Sequence, residues 1–177
     1  NPVSGATNQA TITITGIAED GATVVIYDVL TPMATVTAAN GFYSHTAILS
    51  DGLYCLYAQS TNNDGVIAAS DIVELLIDTA APNPPIITSP INNSKTSIDK
   101  LTISGYTIGS STVFIYLNSQ EQGTCTSDVN GNFTFTTPEV LDGTYLITAK
   151  VKDAAGNISQ SSWQVKVTAG IPPIITN

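Results

Sequence analysis

Thr13-Ile14-Thr15-Gly16 recurs as Thr102-Ile103-Ser104-Gly105, an offset of 89 residues, and the match continues without a gap. Thr23-Val24-Val25-Ile26-Tyr27 is answered at the same offset by Thr112-Val113-Phe114-Ile115-Tyr116. Asn40-Gly41 returns as Asn130-Gly131 at offset 90, and Asp51-Gly52-Leu53-Tyr54 as Asp142-Gly143-Thr144-Tyr145 at offset 91. Two single-residue insertions account for the drift. Repetition at this period means that one folding unit has been copied, so any fold assigned to one half must suit the other. Pro84-Pro85-Ile86-Ile87-Thr88 also returns, as Pro172-Pro173-Ile174-Ile175-Thr176. The expected division is therefore a first domain over 1–79, a Pro-rich linker over 80–85, a second domain over 84–169, and the start of a further repeat over 170–177. The chain reads as a piece of a longer array.

Within the second repeat, the segments 101–106, 112–117, 123–127, 132–136, 144–151 and 161–167 alternate in polarity or run β-branched and aromatic, which predicts strands. Asp128-Val129-Asn130-Gly131 and Leu141-Asp142-Gly143 supply the turn residues between them, as Asn40-Gly41 and Asp51-Gly52 do in the first repeat. No segment predicts a helix longer than a turn. Six or seven short strands at this spacing, repeated twice, predict an all-β chain of two tandem immunoglobulin-like β-sandwich domains. The two-residue period places Tyr145, Ile147, Ala149 and Val151 on the core face of one strand, with Tyr54, Leu56 and Ala58 as their first-repeat counterparts. The linker prolines fix φ and remove amide donors, so this stretch is expected to be short and semi-rigid.

Charge narrows the function. The chain carries −9 and contains no arginine, which argues against binding a phosphate backbone, whose affinity rests on Lys and Arg. Residues 1–78 hold eight acids and no lysine, whereas 79–177 hold six acids and five lysines. The first half is thus the better candidate for cation binding, although an acidic surface also serves solubility. No apolar run reaches the length of a membrane span. His45, the lone histidine, aligns with Phe135 on a strand and is expected to be packed or half-buried rather than a base. The second repeat has no histidine for a nucleophile to use, and no Gly-rich phosphate loop precedes a helix, so the chain is expected not to be an enzyme. Cys55 and Cys125 fall at non-equivalent positions in different repeats, which rules out the paired cysteines of an antibody-type core. Trp163 and the seven tyrosines are expected to pack against the sheets.

Ile77-Asp78-Thr79-Ala80-Ala81-Pro82, followed by Thr-Ile-Ser-Gly, Asn-Gly-Asn-Phe, Leu-Asp-Gly-Thr-Tyr and Lys152-Asp153-Ala154-Ala155-Gly156-Asn157, resembles the bacterial Ig-like tandem repeats of giant secreted adhesins and biofilm-associated surface proteins. The resemblance covers the second repeat and, more loosely, the first. It implies a non-enzymatic module of a bacterial cell-surface protein, extracellular, acting as an extended stalk for cell adhesion or biofilm formation. The alternative is a ligand-binding module that recognises a glycan or host protein directly. It further implies calcium at the inter-domain junction, and the matching positions are Asp51, Asp78, Asp153 and Asn157; a hard cation takes six to eight oxygens of this kind. The same residue types also populate turns for their own sake. In the first repeat, Asn62-Asn63-Asp64-Gly65-Val66 stands where the Asp153 loop stands in the second, which departs from the pattern. The expected partners are neighbouring repeats of the same chain, then a host-surface protein or glycan, with no nucleic acid, no membrane insertion and a monomeric fragment.

Overall fold

The computed structural model describes residues 1–170. The chain divides into two compact units, Asn1–Ala80 and Ala81–Asn177, each all-β, with no helix among the described residues. The repeat of the 172–176 segment lies outside the described residues.

In the first unit the strands are β1 (Gly5–Thr7), β2 (Thr11–Ile17), β3 (Thr23–Asp28), β4 (Thr31–Thr37), β5 (Phe42–Ile48), β6 (Gly52–Thr61), β7 (Ile67–Ala69) and β8 (Val73–Ile77). One sheet runs β1-β8-β6-β3-β4, with β7 against β6, and β2 pairs with β5 in the other. In the second unit they are β9 (Ile86–Ser89), β10 (Ser94–Thr96), β11 (Thr102–Tyr106), β12 (Thr112–Leu117), β13 (Gln120–Thr126), β14 (Asn132–Thr136), β15 (Gly143–Lys152) and β16 (Val165–Ala169). Here the sheets run β10-β16-β15-β12-β13 and β14-β11-β9. The repeated residues occupy repeated places: Ile14 sits opposite His45, as Ile103 sits opposite Phe135. The half-buried position expected for His45 follows from that register.

The Thr-rich alternation now has a physical account. Ile12 and Ile14 of β2 point into the core while Thr11 and Thr13 face out. On the outer faces hydroxyls meet in cross-strand pairs, Thr13 with Thr46 at 3.2 Å, Ser104 with Thr134 at 3.2 Å and Thr144 with Thr168 at 3.3 Å. The core faces of β6 and β15 are those read from the alternation: Leu56 and Ala58 are buried in one, Ile147, Ala149 and Val151 in the other, and Tyr54 and Tyr145 pack against the same clusters.

Two hairpins show how tightly the copies agree. Asn118 and Ser119 carry φ of 50° and 68° in the β12–β13 turn, which gives the hairpin its primed twist. Asn118 Oδ1 accepts from Leu146 N at 2.9 Å; in the β3–β4 turn of the first unit, Asp28 Oδ1 accepts from Cys55 N at 2.9 Å. One side chain in each unit thus ties the hairpin to the neighbouring strand.

The 161–167 expectation is only half right. The strand runs Val165–Ala169, and before it Ser159 and Ser162 each donate a backbone N–H to β15, to Val151 O at 2.9 Å and Ala149 O at 2.8 Å, while their side chains take the return bonds. Ser162 Oγ accepts from Ala149 N at 2.9 Å, and Ser159 Oγ accepts from Val151 N at 3.0 Å. Buried hydroxyls replace carbonyls as acceptors there, a competition that polarity alternation does not reveal.

The second unit holds one continuous core of thirteen buried residues, whereas the first has a cluster of seven and a separate one of three. Ile147, fully buried in the larger cluster, is a sensitive probe. Ile147→Ala is expected to destabilise the second unit by about 2–5 kcal/mol in urea unfolding; a loss below about 1 kcal/mol would mean that this core is loosely packed.

Candidate functional site

The four expected ligands stand at two places. In the first unit Asp51, in the turn before β6, accepts from Thr79 N at 3.0 Å and from Thr79 Oγ1 at 2.9 Å. The next residue back, Asp78, follows β8 and accepts from Ala80 N at 3.0 Å, so the two carboxylates share one corner of that unit. In the second unit Asp153 and Asn157 flank a five-residue loop. Asp153 Oδ1 accepts from Gly156 N and Asn157 N, both at 2.8 Å, and Oδ2 from Asn157 Nδ2 at 3.0 Å. The backbone closes the same loop, Asp153 N donating to Asn157 O at 3.1 Å. Gly156 sits at φ 99°, a conformation that other residues rarely take.

These geometries satisfy N–H donors that a tight loop would otherwise leave unpaired. Within each unit, no group of three or more His, Cys, Asp or Glu side chains among the described residues is close enough to hold a metal ion.

Sequence reasoning missed a twin of the Asp153 loop. Asp128-Val129-Asn130-Gly131-Asn132 has the same Asp-x-x-Gly-Asn pattern, and Asp128 Oδ1 accepts from Asn130 N at 2.9 Å and Asn132 N at 2.8 Å. Asn132 Nδ2 adds a bond to Oδ2 at 3.1 Å. The shared pattern was the available signal. The first unit keeps this closure without the charge: Asn62 Oδ1 accepts from Asp64 N at 3.1 Å and Val66 N at 2.9 Å. The departure noted at Asn62 thus keeps the loop closed with a neutral acceptor and, with Val66 in the place of Asn157, without the side-chain amide bond.

A second feature went unread. Tyr54 donates its hydroxyl to Ser50 O at 3.0 Å, and Tyr145 donates to Leu141 O at 2.9 Å. A tyrosine at the start of a long strand, bonded back four residues, is the tyrosine corner of Greek-key sandwiches. The repeated Asp-Gly-x-Tyr was its signature.

Trp163 corrects an expectation. It is 93% exposed rather than packed on a sheet, because Ser162 turns inward beside it and donates to Trp163 O at 3.0 Å. Tyr106 is 48% exposed as well, whereas Tyr27 and Tyr57 stack with centroids 4.9 Å apart and Tyr43, Tyr54 and Tyr145 pack against the cores. Cys55 and Cys125 are free thiols, one in each unit, and burial raises the Cys125 thiol above its ordinary pKa, which lowers its reactivity. A concavity of about 360 Å3 in the first unit is lined by Thr15, Gly16 and Ile17 from one sheet and by Ile26, Leu56 and Ala58 from the other.

Two sandwiches with tyrosine corners and self-closed loops define repeated immunoglobulin-like modules. Residues 89–168, within the second unit, match the family model described as bacterial Ig-like domain. The fibronectin(III)-like modules of Clostridium thermocellum CbhA match 95% of this chain and 90% of their own at 19% identity and a TM-score of 0.60. An I-band fragment of titin matches 96% of the chain and 63% of its own at 14% identity and a TM-score of 0.55. A biofilm associated protein, in its BSP domain, matches 97% of the chain but only 30% of its own length, at 20% identity and a TM-score of 0.41. No curated protein matches the chain significantly.

The loop chemistry makes a pH prediction. The Asn132 side-chain amide, and after it the Asn132 backbone N–H, hold the Asp128 carboxyl below its ordinary pKa. A depressed carboxyl stabilises the fold above its unfolded value, near 4, and that contribution fades as pH falls through the folded value. Asp128→Asn, which keeps an acceptor as Asn62 does, is expected to flatten the stability of the second unit below about pH 4. An acid limb unchanged by the substitution would place the titration elsewhere.

Proposed function

We propose that the two units are non-enzymatic stalk and adhesion modules of a repeat-built bacterial surface protein, working outside the cell. The observation that carries this reading is that the same scaffold is built twice down to its loop closures, with polar side chains at the loops spent on holding the fold. The bacterial Ig-like family match supports it, and so does the exposed surface of hydroxyl-bearing strands. Among the described residues no helix is long and apolar enough to cross a membrane. Stretching single molecules tests the reading. Each unit is expected to unfold as one step that releases about 25 nm of chain, given roughly 3.3–3.6 Å per extended residue; gradual, stepless extension would be incompatible with a stalk of discrete modules.

One observation favours the second reading, direct ligand recognition. Trp163, 93% exposed, is the sole tryptophan, and large exposed aromatics are common anchors for sugars and partner proteins. If the second unit binds a glycan or a host protein, tryptophan emission is expected to shift on titration and Trp163→Ala is expected to weaken binding at least tenfold without changing stability. Unchanged emission across glycan and host-protein panels would leave the stalk reading alone.

Calcium belongs to this proposal, with the family resemblance as its support. Binding by Asp51, Asp78, Asp153 and Asn157 predicts that calcium raises the melting temperature of the wild type and that Asp78→Ala with Asp153→Ala abolishes the rise. Equal melting curves with calcium and with a chelator would make these residues loop formers only.

A further inference from the structure

We propose that the outer face of the β10-β16-β15-β12-β13 sheet in the second unit binds a linear acidic polysaccharide through four lysines, Lys95, Lys166, Lys150 and Lys152. This goes beyond the Trp163 reading above by naming the charge of the ligand and a separate set of residues, and neither depends on the other.

Alternation puts the four on one face. In β15 Ile147, Ala149 and Val151 are buried in the core, so Thr148, Lys150 and Lys152 face out. Val165, Val167 and Ala169 of β16 are buried likewise, which turns Lys166 and Thr168 outward. Lys95 of β10 lies beside Thr168, and Thr168 lies opposite Thr144 of β15. Lys166 lies opposite Leu146. Read along β15, the charges therefore come in order: Lys95 at the level of Thr144 and two strands away, Lys166 at the level of Leu146 and one strand away, then Lys150 and Lys152 on β15 itself. With about 3.4 Å per residue and about 4.8 Å between strands, this diagonal file covers roughly 27 Å along the sheet and about 10 Å across it.

The fold itself does not ask for this grouping. The chain has five lysines against fourteen acids, and four of the five stand here. The fifth, Lys100, is the one that pairs, with Glu139 at 4.0 Å; among the described residues the other four form no ion pair. Solubility does not explain them, because they cancel acids and bring residues 79–177 close to neutrality. Guarding an open edge accounts for a lysine on β10 but not for two on β15, the middle strand of the sheet. The first unit has the same scaffold and places Ala6, Glu74, Gln59 and Thr61 at the four corresponding positions.

What flanks the file fits a sugar chain. Phe114 stands opposite Lys150 and Tyr116 opposite Thr148, and Lys152 Nζ lies 5.9 Å from the centroid of the Phe114 ring. Glu121, the only acid in the five strands, stands in the far edge strand opposite Tyr116. A chain of uronate units carries a carboxylate on each ring for the ammonium groups and C–H faces for Phe114, Tyr116 and Leu146. Other anions match less well. The chain has no arginine and carries −9, which disfavours nucleic acid. A second copy offers no matching file of charge, since Glu74 alone of the first unit's acids lies on the corresponding sheet face and the rest stand in turns or at a strand end.

The test titrates the whole chain with an oligogalacturonate in a calorimeter. Binding is expected, weakening at least tenfold as salt rises from about 0.01 M to about 0.15 M, and none is expected with the same oligomer after its carboxyls are reduced to alcohols. Lys150→Gln with Lys166→Gln is expected to weaken binding at least tenfold at an unchanged melting temperature, whereas Lys150→Arg with Lys166→Arg retains it. Lys100→Gln is expected to change nothing. Absence of binding at low salt overturns the proposal, and so does binding that persists when all four lysines are replaced by glutamine. Binding lost in Trp163→Ala but kept in the lysine variants, or equal for the reduced oligomer, also overturns it while leaving the Trp163 reading in place. Tighter binding of DNA than of the oligogalacturonate would give the face to nucleic acid. Salt-sensitive self-association that requires the lysines would give it to a second copy, and either result overturns the polysaccharide.

Discussion

A sandwich of this size has two sheet faces to bury against each other and little chain left over for anything else. Small domains bury a lower fraction of their surface than large ones, so each core position counts. The second unit meets the demand with one continuous cluster built from alternate residues of β11, β12, β14, β15 and β16. The cost of that economy falls on the connections. Turns this short cannot pair all of their own backbone groups, and an unpaired buried amide costs about as much as a lost hydrogen bond. Asp128, Asp153, Asn62, Asn118 and Asp28 resolve it locally, each offering a side-chain oxygen to nearby N–H groups.

Seen this way, the acidity of the loops is a consequence of acceptor demand, and charge is one means of meeting it. Asn62 closes its loop with a neutral amide in the place where Asp153 uses a carboxylate. A carboxylate makes the stronger acceptor and adds a second oxygen, which Asp153 spends on the Asn157 side chain. The two units therefore differ in charge at equivalent positions while keeping one geometry.

The strands were legible because their alternation reports burial directly. The boundaries at 112–117 and 132–136 coincide with β12 and β14, and the core face of β15 follows the two-residue period through Val151. The short strands β10 and β1 were not legible, since three residues give too little alternation to read and both pair in parallel with a strand far along the chain. The 158–163 segment misled for a different reason: its serines are buried acceptors for β15, so polarity there no longer marks the outside. Trp163 was misplaced by the same local twist. The loop residues Asp51, Asp78, Asp153 and Asn157 were picked out by type, yet type alone did not distinguish an acceptor for an amide from a ligand for a cation. The Asp-x-x-Gly-Asn twin at Asp128 carried that distinction, because it closes an equivalent loop by the same hydrogen bonds.

Glycine at 16 bears on how a repeat is maintained. A position in the middle of a strand normally disfavours glycine, which weakens the strand and packs nothing. At Gly105 the approach of β9 explains it, since the Ile86 carbonyl occupies the space a side chain would need. The ring of its cross-strand neighbour Phe133 lies over Gly105 as well, and at Gly16 the ring of Tyr43, the counterpart of Phe133, takes the same place. Glycine in both copies thus makes room for the aromatic ring of the residue opposite it.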